Sequence, residues 1–135
     1  MVEKSAESEV QPEWVGDLIH NSFYDKLVII GFPYDEGATK SGARLGADLG
    51  PDSFRRFVKD IGSIQNPEYG VDIAKALPKI SDYGNIQIQD ELAADQCTLI
   101  KPTMKQLYAK LATKVGLCIK RSNIPCIVGG SRDLF

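Results

Sequence analysis

The sequence predicts an α/β domain in three layers, helix over sheet over helix (α/β/α), with a mainly parallel sheet. Three observations predict it. Leu27-Val28-Ile29-Ile30 is a continuous apolar, mostly β-branched run, the pattern of a strand buried on both faces. Met104, Leu107, Tyr108, Leu111, Val115, Cys118 and Ile119 recur at three- and four-residue steps, the pattern of a helix with one apolar face. Around these two segments helical and strand-like stretches alternate, and such alternation forms a parallel sheet through right-handed crossovers.

Taken in order, residues 1–25 read as a polar tail and a short helix, and residues 26–135 as the α/β domain. Met1 to Pro12 is rich in Glu, Lys, Ser and Val without a period, as a loosely docked tail would be. Trp14, Val15, Leu18 and Ile19 are spaced as a short amphipathic helix ending near His20-Asn21. His20 has no His, Asp or Glu partner at ligand spacing, so it reads as a surface histidine. The strand from Leu27 is stopped by Gly31 and Pro33, and Tyr34 to Gly50 follows as a polar loop carrying Asp35, Glu36, Lys40, Arg44 and Asp48 among four glycines. Gly50-Pro51-Asp52-Ser53 then opens a helix: Pro loses nothing by lacking an N–H there, and Asp52 suits the positive end of the dipole. Phe54, Phe57, Val58 and Ile61 give that helix its apolar face. Arg55 and Arg56 are read as structural contacts to the loop or to a neighbouring subunit.

Gly62 to Tyr69 is a turn-rich connection, and Val71 to Ala76 a second short helix or an irregular loop. Pro78 to Ile86 reads as a short strand with a turn at Gly84-Asn85. Asp82 within it either faces a site or simply forms the turn. From Thr98 the long helix begins, with Pro102 in its first turn and Lys101, Lys105, Lys110, Lys114 and Lys120 on a solvated face. Ser122-Asn123 ends it, and Ile124 to Val128 is an apolar strand running into Gly129-Gly130.

Composition narrows the functional classes. The chain has 135 residues, 43% hydrophobic and 25% charged, which is enough for one small domain with a core. A net charge of −2 offers no basic face to nucleic acid or to an anionic membrane. Cys97, Cys118 and Cys126 are an odd count without a C-x-x-C pair, as in reduced buried thiols. The N-terminus lacks the basic start and apolar run of a signal peptide, and no apolar stretch reaches membrane-spanning length. The expectation is a cytoplasmic protein without nucleic-acid or membrane partners.

The strings G-F-P-Y-D-E-G, K-S-G-A-R-L-G-A and L-G-P-D-S-F-R, which fill residues 31–55, resemble the N-terminal signature of the ureohydrolases, the manganese enzymes that include arginase, agmatinase and formimidoylglutamase. The D-E-G and G-A-R-x-G-A elements look closest to the formimidoylglutamase branch, while G-P-x-x-x-R is shared more widely. D-Y-G-N-I resembles the family's second strand and the turn after it. The resemblance implies the arginase-like α/β/α fold, present as an N-terminal partial domain, and ancestry in the hydrolysis of a carbon–nitrogen bond of a linear amidine.

The same resemblance implies two manganese ions held by carboxylates and histidines, polarising a water that attacks the substrate. The first family ligand is a histidine in a G-G-D-H or G-G-G-H string, and here Gly129-Gly130-Ser131-Arg132 stands in that place. Arg132 is permanently cationic and has no lone pair for a metal. Asp133 would point to the opposite face. The later D-A-H-x-D and D-x-D ligand strings lie beyond Phe135. The expectation is therefore no metal ligands, no cofactor and no catalysis by this chain alone. Asp35 and Glu36 are candidates for receiving a cationic formimino or guanidinium group, and Lys40 and Arg44 for a substrate carboxylate. The plainer reading is that all four tie the loop down. Two readings stay open: part of a formimidoylglutamase-like hydrolase, or a non-catalytic relative serving subunit contact, as a homo-oligomer or with a related chain, or binding a small amidine or amino-acid metabolite.

Overall fold

The computed structural model describes residues 14–62, 65–72, 79–88, 91–92, 99–100 and 102–130. Four strands form the central sheet: β1 (Ile19–Asn21), β2 (Leu27–Phe32), β5 (Ile80–Asn85) and β8 (Ile124–Gly129), in the spatial order β1-β5-β2-β8. All three pairings are parallel. Two short antiparallel pairs stand apart, β3 (Gln65–Asn66) with β4 (Val71–Asp72), and β6 (Glu91–Leu92) with β7 (Leu99–Ile100). Helices α1 (Glu36–Ser41) and α2 (Gly50–Lys59) follow β2, and α3 (Met104–Lys120) precedes β8.

Alternation along β2 explains the three layers. Val28, Ile30 and Phe32 point to one face and bury against Leu107, Leu111 and Cys118 of α3. Ile29 points to the other and joins Ile80, Val58 of α2, Val15 and Leu18. Both faces of β2 are thus covered, as its unbroken apolar run requires.

Five expectations are corrected in detail. The N-terminal segment is a 3₁₀ turn over Val15–Leu18, after which Ile19–Asn21 leaves the helix path and pairs with β5 as an edge strand. The polar loop after β2 is not wholly irregular: Glu36–Ser41 is a short helix with a Glu36–Lys40 pair at i,i+4, closed by Gly42 in the left-handed conformation, and Ala47–Leu49 is a 3₁₀ turn. The long helix starts at Met104 because Thr103 caps it, its side chain and that of Gln106 exchanging bonds with each other's backbone N–H. Pro102 lies outside that first turn. Strand β5 continues through Gly84-Asn85; the glycine there makes a bulge, at φ +87, shifting the register between Ile29 and Ile30. Val71-Asp72 is extended. Residues 73–78 lie outside the described ones, as do Cys97, Lys101 and Thr98.

Candidate functional site

Strand β2 delivers its carboxyl end to residues 33–49, and β8 ends beside it. The loop lies directly on that second strand end. A Cβ added to Gly130 would come within 2.5 Å of the Tyr34 carbonyl oxygen and 2.6 Å of that of Ala47, so only glycine admits the approach. Between this loop and the start of α3 opens a cleft of about 760 Å³, walled by Tyr34, Asp35, Glu36, Lys40, Asp48 and Thr103 among others. Open α/β sheets place their ligands at such strand ends.

Of the four residues singled out from the sequence, three share the cleft. The Asp35 carboxylate accepts the Gly46 N–H at 3.2 Å and so closes the loop on itself. Glu36 accepts the Tyr34 hydroxyl and pairs with Lys40 at 3.1 Å. The Glu36 and Lys40 side chains are 47% and 71% exposed, so water competes for both and each can be redirected toward a ligand at little cost. Arg44 is exposed, is not among the cleft residues, and has no partner among the described residues. Asp48, which the sequence reading left aside, reaches the cleft through the 3₁₀ turn of Ala47–Leu49.

Beneath the loop, on the α2 face, a polar cluster ties α2 to β5. Arg55 donates from Nε and Nη2 to the two Asp82 carboxylate oxygens at 2.6 and 2.9 Å. Its Nη1 donates to Asn85 Oδ1 at 2.5 Å and to Asp52 Oδ1 at 3.1 Å. Asn85 Nδ2 returns a bond to the same Asp52 oxygen at 3.1 Å. Asp82 also accepts the Gly84 N–H at 2.8 Å, which holds the bulge. Its hydrogen bonds to Asp82 first, offset in part by burial, hold the Arg55 guanidinium above its ordinary value, so it is charged at any accessible pH. Asp82 therefore sits within β5 and forms no turn; it braces the bulge at Gly84 and is the ion-pair partner of Arg55. Among the described residues, Arg56 reaches only Ser53, at 3.4 Å.

His20 does have a partner, contrary to the sequence reading. Its Nε2 lies 2.8 Å from Asp25 Oδ2, which also accepts the buried Ser81 hydroxyl at 2.6 Å. Ser81 Oγ in turn accepts the Tyr24 and Asp25 N–H groups. With the carboxylate between the hydroxyl and the imidazole, the ring cannot act as base toward that hydroxyl; the group fastens the turn before β2 to β5. The lysine face of α3 is likewise not wholly solvated, since the Lys114 ammonium sits 4.5 Å over the Tyr83 ring.

The two-manganese group implied by the resemblance does not fit the described residues. No three of their His, Cys, Asp and Glu side chains converge. Asp82 is held by Arg55 and Asp35 by Gly46, while the more exposed Glu36, shared with Tyr34 and Lys40, and Asp48 in the cleft wall belong to no group of three such side chains. Arg132 and Asp133 lie outside the described residues. No helix among the described residues is long and apolar enough to cross a membrane.

Comparison with known proteins gives these features a lineage. A formimidoylglutamase of Staphylococcus epidermidis is 28% identical over 122 residues, covering 88% of this chain and 32% of its own. The crystal structure of Trypanosoma cruzi formiminoglutamase, oxidized and with Mn2+, superposes with a TM-score of 0.66 at 33% identity, covering 90% of this chain and 38% of that one. Agmatine ureohydrolase of Thermoplasma volcanium shares the fold at 20% identity, with a TM-score of 0.62. The chain thus spans about a third of the length of these relatives. The arginase family model matches residues 25–134, the stretch that carries three of the four parallel strands and the cleft loop, and the chain belongs to the arginase family.

Proposed function

We propose that this chain is the substrate-loop portion of a formimidoylglutamase-like hydrolase of linear amidines, able to hold an amidine amino acid but not to hydrolyse it by itself. One observation carries the reading: the signature loop forms a cleft of about 760 Å³ at the strand ends, with carboxylates and an ammonium in the same wall. A ligand with a cationic formimino end and a carboxylate end needs both signs within one small space. Asp48 has no competing partner among the described residues and suits the cationic end, with Glu36 released from Lys40 as a second acceptor. Lys40 suits the carboxylate, and Arg44 lies near enough in sequence to join it only if the loop closes.

Hydrolysis would require manganese to supply a hydroxide nucleophile. The committed carboxylates and the arginine at position 132 argue against a metal centre assembled from this chain alone. The test is to incubate purified chain with Mn2+ and N-formimino-L-glutamate, following formamide release and bound metal. The expected result is neither formamide nor stoichiometric manganese. Stoichiometric Mn2+ binding abolished by Asp133→Ala would overturn the non-catalytic part of the proposal.

A second reading, subunit contact, draws on a separate observation. Strand β8 is the outer strand of the sheet on its side, and its Ile124 and Ile127 are 54% and 41% exposed. Among the described residues no strand covers this apolar edge, an arrangement that favours pairing with another strand, and we assign a second copy or a related chain as that partner. Light scattering of Ile127→Lys against the unmodified chain decides it: a dimer converted to monomer supports the contact, and a monomer in both refutes it.

A further inference from the structure

We propose that Arg55 is a positioning residue for the cleft: its guanidinium fork, more than the loop's own bonds, fixes where residues 33–49 stand over the ends of β2 and β8. This deepens the substrate-loop reading above and rests on it for the ligand measurement. The loop's internal ties are mostly local: the backbone bonds of α1 and of the 3₁₀ turn, Asp35 to Gly46, Tyr34 to Glu36 and the exposed Glu36–Lys40 pair hold neighbouring stretches of the loop to one another. Toward the sheet, the Tyr34 ring packs on Phe32 with centroids 5.9 Å apart, an apolar contact that fixes no direction. The loop passes without a break into α2, so the placement of the first turns of α2 sets the placement of the loop's exit.

Those turns are held by Arg55. Its five-donor fork meets Asp82 with two bonds and Asn85 and Asp52 with one each, and its side chain is only 18% exposed, that of Asp82 10%. Asn85 lies across β2: a Cβ on Gly31 would collide with Asn85 Oδ1 and sit 3.0 Å from Pro51 Cβ. Strand β5, strand β2 and the start of α2 therefore meet at one crowded point organised by a single guanidinium. On the far side of that point, a Cβ on Gly50 would lie 2.9 Å from the Gly129 carbonyl oxygen, which leaves the loop's exit no slack against β8. A shift of α2 along β5 would have to be passed to the cleft wall. Lysine keeps the charge but gathers its three donors on one nitrogen at the end of a flexible stem, and cannot reproduce the planar fork that spans the Asp82 carboxylate and the Asn85 amide together.

The experiment compares the unmodified chain with Arg55→Lys and with Asn85→Ala, using amide NMR spectra and titration with N-formimino-L-glutamate. Positioning by the fork predicts that Gly46, Gly50 and Gly130 amides move in both variants while Leu107 and Leu111, on the opposite sheet face, do not. It also predicts binding about tenfold weaker, the loss expected when charge-assisted hydrogen bonds are misaligned. Unchanged Gly46 and Gly130 amides in the variants would overturn the inference, and so would shifts spread evenly over both faces, the mark of a merely structural role. Should Arg55→Lys fail to fold, Asn85→Ala, which spares the ion pair, decides alone. If the unmodified chain binds no ligand, the substrate-loop reading falls, and the amide positions still decide the role of Arg55.

Discussion

The two faces of the sheet are held by different forces, and the cleft lies at the end where the second kind operates. Against α3, the contact is apolar: Val28, Ile30, Phe32, Ile86, Leu107, Leu111 and Cys118 form one buried cluster, with Phe32 and Tyr108 rings stacked at 6.0 Å. Against α2, the apolar cluster of Val15, Leu18, Ile29, Val58 and Ile80 is smaller, and the carboxyl end is fastened by Arg55, Asp82, Asn85 and Asp52. Burial is non-directional and tolerates small shifts. Charge-assisted hydrogen bonds fix both distance and angle. A fold that must present a loop at a defined place has reason to use the first for stability and the second beside the loop.

The comparison breaks most visibly if Phe32 is truncated. Phe32→Ala removes a ring that is 1% exposed, and chemical denaturation should show a loss of about 3–5 kcal/mol. Arg55→Ala leaves Asp82 buried beside no cation; an expected loss of about 3 kcal/mol, the low end for a broken pair, reflects its residual exposure. The double change Arg55→Met with Asp82→Leu sharpens the contrast, because apolar replacement of a whole buried pair is often near neutral. Stability should recover to within about 1 kcal/mol in the same denaturation experiment, whereas the Gly46 and Gly130 amides should stay displaced. Recovery of both would mean that packing, not direction, sets the cleft.

Smaller effects lie at the surface and at the thiols. Lys40→Ala breaks an exposed i,i+4 pair and should cost no more than about 0.5 kcal/mol, measured by thermal unfolding, yet weaken ligand binding if Lys40 meets a carboxylate. Burial pushes the Cys118 thiol above its ordinary value of 9.0, with the Arg121 charge opposing. A raised folded value means that the unfolded chain gives up this proton first. Stability is therefore fully present below about pH 9 and declines as pH rises through the folded thiol's range. Cys118→Ala should flatten that alkaline decline in urea midpoints.

Much of this organisation is legible in the sequence, for reasons that can be named. The β2 run and the α3 periodicity are patterns of burial, and burial leaves an imprint at fixed spacing. Gly50-Pro51-Asp52 marks the start of α2 because the requirements of a helix N-terminus are local. The cleft loop is visible through its family strings, although the short helix of Glu36–Ser41 is hidden by its glycine. What stays illegible depends on pairing between distant residues. His20 finds Asp25 and Ser81 only once β1 lies along β5. Arg55 and Asp82 are 27 positions apart, with nothing in the intervening chain to mark them as partners. Asp48 resembles any loop aspartate until the strand ends bring it to the cleft. Arg44, prominent in the motif, faces solvent.

The most direct test of the central claim is an amide NMR titration of the chain with N-formimino-L-glutamate, without added metal. Saturable shifts confined to residues 33–49 and the start of α3, weakened by Asp48→Asn, are the predicted result, since the cleft wall is made of those segments. Shifts elsewhere, or none at millimolar ligand, where a site of even about 4 kcal/mol would fill, would contradict the claim that this loop holds an amidine amino acid.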